Sequence, residues 1–141
     1  MKILVVDDET DVRILFEQRF RREIRSGEYS FSFAYSGEEA LAYLHDHPSE
    51  VVLILSDINM PGMSGLELLR KVRQEYPAPA APPSAPVVMM ITAYGDRETH
   101  DQALRLGADD FLTKPVDFAA LKTTLLTLTM PAGPGAATPA A

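Results

Sequence analysis

The sequence predicts an α/β domain, a parallel sheet with helices packed on both faces. Three observations point there. Five short apolar runs rich in Val, Ile, Leu, Met and aromatics alternate with five segments of helical spacing. Three of those runs are almost continuously apolar, which suits strands buried on both faces of a parallel sheet. The chain has 141 residues, 46% of them hydrophobic, enough for one domain with a real core.

Each element has its own signal. Ile3–Val6 is the first strand. Thr10–Arg25 follows as a helix, with Val12, Leu15, Phe16, Arg19, Phe20 and Ile24 at helical spacing and Gly27 closing it. Phe31–Tyr35 alternates, as in Phe31-Ser32-Phe33, which suits an edge strand. Ser36-Gly-Glu-Glu39 has the capping-box pattern and opens a helix over Ala40–His45. Val51–Leu55 is the third strand. Ser64-Gly-Leu-Glu67 is a second capping box, opening Leu66–Tyr76. Val87–Ile91 and Asp110–Thr113 are the last strands, and Asp96 and Asp117 are N-cap candidates for helices near 97–106 and 118–128. Pro77–Pro86 holds five of the 11 prolines and reads as an extended surface loop. Residues 131–141 contain no large apolar side chain, so they read as a disordered tail or linker after a domain spanning 1–130.

Composition removes whole classes of function. Thirteen Lys and Arg against 20 Asp and Glu leave a net charge of −7, which repels phosphate backbones and argues against direct nucleic-acid binding. Cys is absent, so disulfides, thiolate nucleophiles and Cys-ligated zinc are excluded. No apolar run approaches the ~18 residues that cross a bilayer, and Met1–Val6 is too short for a signal peptide. The expectation is a cytoplasmic protein with no membrane contact. The first helix carries Arg13, Arg19, Arg21, Arg22 and Arg25, a basic face that is either solvated or docks an acidic partner.

In open α/β sheets the site forms at the carboxyl ends of the strands. Strand 1 ends in Asp7-Asp8-Glu9, strand 3 in Ser56-Asp57-Ile58-Asn59, strand 4 in Thr92-Ala93-Tyr94-Gly95 and strand 5 in Thr113-Lys114-Pro115. Strands 1 and 3 are neighbours at the switch point of a right-handed doubly wound sheet, so Asp7, Asp8 and Asp57 converge. Three carboxylates in one cleft destabilise one another unless a cation lies between them. Oxygen-only ligands indicate a hard divalent ion, Mg²⁺ first and Mn²⁺ second. Lys114 adds an ammonium at the same rim and Thr92 a hydroxyl. Such a constellation suits a transferred phosphoryl group, with a carboxylate as nucleophile. Phe111, beside the rim, reads as a core aromatic.

The segments Ile3-Leu-Val-Val-Asp-Asp-Glu9, Leu55-Ser-Asp-Ile-Asn-Met-Pro-Gly62, Ile91-Thr-Ala93 and Phe111-Leu-Thr-Lys-Pro115 together resemble the receiver domain of two-component response regulators, in order from Lys2 to about Leu128. The resemblance implies a flavodoxin-like, five-stranded sheet in the order 2-1-3-4-5. It implies Asp57 as phosphoacceptor and a Mg²⁺ site made of Asp7, Asp8, Asp57 and the backbone carbonyl of Asn59. It places Thr92, Ala93 and Lys114 around the phosphoryl group, and gives Thr92 and Phe111 the role of switch residues. It implies a cis peptide at Lys114–Pro115. The resemblance also implies that Asn59 and Tyr94 border the path of a hydrolytic water and so tune dephosphorylation. The implied donor is a sensor histidine kinase or a histidine phosphotransfer protein. The implied output is a change of partner on the face made by the fourth predicted helix, the fifth strand and the fifth helix, with a phosphorylation-linked homodimer as one form of it. Ser64 stands where many receivers have Asp, and both residues cap a helix.

Other functions fit less well. A haloacid-dehalogenase-type phosphatase also uses Mg²⁺ and an aspartyl phosphate. It needs a second carboxylate two residues after the nucleophile, where this chain has Asn59. A flavodoxin-like carrier needs a phosphate loop after strand 1, where Asp7-Asp8-Glu9 would repel phosphate. A receiver-like module that binds without phosphorylation stays open, against the presence of all five site residues.

Overall fold

A computed structural model describes residues 1–47, 50–75, 86–92 and 97–129, with residues 128 and 129 described by backbone alone. The expectations for residues 77–85, Ala93, Tyr94, the Asp96 cap and the tail from 131 lie outside the described residues.

The elements run β1 (Lys2–Val6), α1 (Asp11–Arg19), α2 (Arg21–Ser26), β2 (Ser30–Ala34), α3 (Gly37–Asp46), β3 (Val51–Asp57), α4 (Gly65–Glu75), β4 (Val87–Thr92), α5 (Arg97–Leu106), β5 (Asp110–Thr113) and α6 (Phe118–Thr129). The sheet has the order β2-β1-β3-β4-β5, and every pair is parallel. Alternation along the central strands feeds two cores. Leu4, Val6, Ile54, Val88 and Met90 face the layer of α3, α4 and α5. Ile3, Val5, Leu53, Leu55, Met89 and Ile91 face α1 and α6. This two-sided burial is what the nearly continuous apolar runs require.

Both predicted serines cap their helices. Ser36 Oγ accepts from the Glu39 N–H at 3.1 Å, and Ser64 Oγ accepts from the Glu67 N–H at 3.2 Å. Asp117 caps α6 by accepting from the Ala120 N–H at 3.1 Å. The edge strand β2 turns Phe31 and Phe33 towards the α1 and α6 layer, while the Ser32 hydroxyl meets the Tyr43 hydroxyl at 2.7 Å.

The first helix departs from expectation. Thr10–Arg25 is not one straight helix but breaks at Phe20, whose φ of −110° and ψ of 23° separate α1 from α2. The ring of Phe20 is the reason. It is fully buried and lies 5.0–6.0 Å from the rings of Phe16, Tyr29, Phe31 and Phe118. The hydrogen bonds from Phe20 N–H to Phe16 and from Ile24 N–H to Phe20 persist at 2.9 Å, so the break is a kink. Beyond it α2 buries no residue, and Ile24, placed by periodicity on the apolar face, is 36% exposed. Leu15 is likewise 42% exposed. Gly27 ends α2 at φ 80°, a left-handed position that suits glycine.

Far from the strand carboxyl ends, Arg73 ties three segments together. Its guanidinium donates to the carbonyls of Gly107 at 3.0 Å and Pro86 at 2.9 Å and pairs with Asp109 at 2.8 Å. Asp109 also accepts from the Val88 N–H at 2.8 Å.

Candidate functional site

The carboxyl ends of β1 and β3 lie side by side, Val6 opposite Ser56 in the ladder. The next residues are therefore Asp7 beside Asp57. Carboxylate oxygens of Asp7, Asp8 and Asp57 come within 4.8 Å of one another. Asp7 and Asp57 are buried, at 3% and 4% exposure, and Asp8 is exposed at the mouth. Asp7 is already committed at both oxygens. Oδ1 accepts from the Glu9 N–H at 3.0 Å, and Oδ2 faces Lys114 Nζ at 3.5 Å. Asp8 is left as the acid open to solvent.

Lys114 enters from β5. Its backbone N–H donates to the Thr92 carbonyl at 2.8 Å, which fixes the turn after β5 against the end of β4. Its Nζ lies 3.2 Å from Asp57 Oδ2 and 3.7 Å from Glu9 Oε1. The Lys114–Pro115 peptide is cis. Thr92 is buried at the end of β4, opposite Thr113. Asn59 is exposed just beyond β3, and its backbone N–H donates to the Asp57 carboxylate.

Electrostatics follow from this packing. Burial first, and then the charge of Asp7, push the Asp57 carboxyl up; Lys114 and the Asn59 N–H pull it back only in part. Burial opposes the charge on Lys114, but Asp57, Asp7 and Glu9 outweigh it and raise the ammonium above 10.5. One ammonium thus faces three clustered carboxylates, and the cluster is under-compensated. An all-oxygen donor set with one solvent-open member fits a hard divalent cation.

The structure brings Asp7, Asp8, Asp57 and Lys114 together, with Thr92 and Asn59 at the rim. Phe111 is not in the cluster. It is half-buried on β5, against the core under α4 and α5. Ala93 and Tyr94 lie outside the described residues. A cleft of about 440 Å³ opens from the cluster, lined by Asp7, Glu9, Asp11 and Lys114 on the site side and walled beyond them by Val12, Leu15, Phe16, Val116 and Phe118.

Three residues escaped the sequence reading. Glu9 joins Lys114, and its place in the acid run was the available signal. Gly65 was read only as the second residue of a capping box. A Cβ there would meet the Asp57 carbonyl oxygen and lie 2.8 Å from Ile58 Cα, so only glycine lets α4 start against the end of β3. His100, stacked on Phe111, gave no signal beyond its helical position.

A family model described as the response regulator receiver domain matches residues 3–126. The response regulator protein PilR of Pseudomonas aeruginosa is 41% identical over 124 residues, 86% of this chain and 24% of PilR. The response regulator RppA of Synechocystis is 37% identical over 121 residues, 86% of this chain and 47% of RppA. The chain thus spans about a quarter to a half of these relatives. The crystallised chemotaxis protein CheY4 of Vibrio cholerae superposes with a TM-score of 0.73 at 28% identity, covering 89% of this chain and 96% of that one.

Proposed function

This chain belongs to the response regulator receiver domain family, and on that premise we propose that it is a phosphorylation switch with Asp57 as phosphoacceptor. The observation that carries this reading is the convergence of Asp7, Asp8 and Asp57 with Lys114 Nζ 3.2 Å from an Asp57 oxygen. Ionised Asp57 is the nucleophile. A phosphohistidine P–N bond breaks as a P–O bond to the Asp57 carboxylate forms, and the electron pair returns to the imidazole of the donor, a histidine kinase or phosphotransfer protein. Lys114 then faces the phosphoryl oxygens, and the Thr92 hydroxyl donates to them.

The residues fit a metal. Asp7, Asp8, Asp57 and the Asn59 carbonyl would hold Mg²⁺, or Mn²⁺ in its place, and the ion would screen the carboxylates and stabilise charge on the phosphoryl oxygens. Asp7, anchored to Glu9 and Lys114, acts more as an orienting acid, and exposed Asp8 more as a direct ligand. The apolar cleft beside Asp7 gives the donor protein a surface to rest on.

Thr92 and Phe111 pass the event to the face of α5, β5 and α6, where the output partner or a second copy binds. The chain is a signalling domain, with catalysis limited to its own phosphorylation and slow autodephosphorylation, which Asn59 and Tyr94 tune. Asn59 in the position of a general acid disfavours a phosphatase. The domain is taken as 1–130, with 131–141 a linker.

Acetyl phosphate with Mg²⁺ should label the protein to near one phosphoryl per chain, and chelation should stop it. The label should be lost in base and hydroxylamine and be absent in Asp57→Asn. Full labelling of that variant contradicts the assignment.

A further inference from the structure

Helix α5 is lightly held. Its single fully buried residue is Ala103. His100 lies three positions earlier, on the same helix face. The His100 ring lies flat on Phe111, with centroids 4.0 Å apart and planes 8° apart. Its Nε2 is buried and has no hydrogen-bond partner among the described residues. Phe111 sits on the edge strand β5, opposite Met90. By the alternation of β4, Thr92 projects to the same sheet face as Met90, which packs in the core shared with Phe111. A line therefore runs from the site through Thr92 and Phe111 to His100, on a helix at the surface.

We infer that His100 is a positioning residue of the switch, a latch whose stacked ring holds Phe111 in the place it occupies here. The inference rests on the proposed role of Phe111. Two effects oppose each other in this contact. Parallel ring contact favours the closed stack. A buried nitrogen with no partner disfavours it, because opening the stack returns Nε2 to water. The opposition keeps the latch weak, so a modest push from the phosphoryl site suffices to shift the population of Phe111. An aliphatic residue here would pack without the second effect, and a solvent-facing one without the first.

Variants separate the two effects. His100→Ala removes the ring; His100→Phe keeps a flat ring and removes the unpaired nitrogen. The full chain is labelled with 3-fluorophenylalanine, whose meta fluorine changes environment when the ring flips, and Phe111→Tyr assigns the Phe111 resonance. Without any phosphoryl mimic, Phe111 ring flipping should be several-fold faster in His100→Ala and no faster in His100→Phe. With Mg²⁺ and beryllofluoride, the concentration giving half response at Phe111 should fall in His100→Ala and rise in His100→Phe, each by roughly 2- to 10-fold. A residue that merely stabilises the fold would move the two variants in one direction. Unchanged ring flipping in His100→Ala, or equal or parallel shifts in half response, overturns the latch. A wild type that ignores beryllofluoride overturns the switch reading itself and the latch's role with it, a failure visible before any variant is compared.

Discussion

Burial and the charge of Asp7 together raise the Asp57 carboxyl above its ordinary value near 3.8, and Lys114 offsets them only in part. The folded state then holds the Asp57 proton more tightly than the unfolded chain does. The stability this contributes is fully present below pH 3.8 and is lost as pH rises through the raised value of the folded state. At neutral pH the ionised side chain is a net cost to the metal-free fold. Asp57→Asn should therefore melt about 2–6 °C higher than wild type at pH 7 without metal. The difference should shrink towards pH 4, and Mg²⁺ should raise the wild type more than the variant. Thermal melts across pH check this, and a variant that melts lower at pH 7 contradicts the electrostatic account. At this scale the sequence was informative where chemistry depends on residue type at a strand end, as for Asp7, Asp8, Asp57 and Lys114. It was silent on His100, because the ring that His100 covers belongs to another element and helical spacing says only that the side chain points inward.

Among the elements, the junction of β3 with α4 governs where Asp57 sits. The Gly65 N–H donates to the Ile58 carbonyl at 2.8 Å, and Gly65 has no room for a side chain against the Asp57 backbone. Gly65→Ala should push α4 off the strand end, lower stability by about 1–3 kcal/mol, and slow labelling of Asp57 as well. Denaturant melts and labelling rates check both effects; an unchanged melt and rate would show that the junction yields freely. The elements themselves were legible, because two-sided burial writes continuous apolar runs and caps write Ser-x-x-Glu. The kink at Phe20 was not, since its ring packs against Tyr29, Phe31 and Phe118, which belong to other segments of the chain. The Arg73 tie was equally hidden, because its partners Pro86, Gly107 and Asp109 are distant in sequence.

For the whole molecule, the parallel order β2-β1-β3-β4-β5 puts the carboxyl ends of β1 and β3 at the centre of one edge. The acids meet there, while the Arg73 tie holds the opposite end of β4. The topology thus separates a reactive edge from a structural one. It also sets Phe111 two strands away from Asp57, across β4, with His100 stacked on it, on the face made by α5, β5 and α6. The central claim is that a phosphoryl group on Asp57 is read at that face. Backbone amide shifts on adding beryllofluoride with Mg²⁺ to the isotopically labelled chain test it most directly. The account predicts large shifts at Asp57, Thr92, Phe111, His100 and Lys114 and along α5, with β2 and the surroundings of Arg73 unmoved, and a loss of the α5 shifts in Lys114→Ala. Shifts confined to the residues around Asp57, with Phe111 and α5 unchanged, would contradict it.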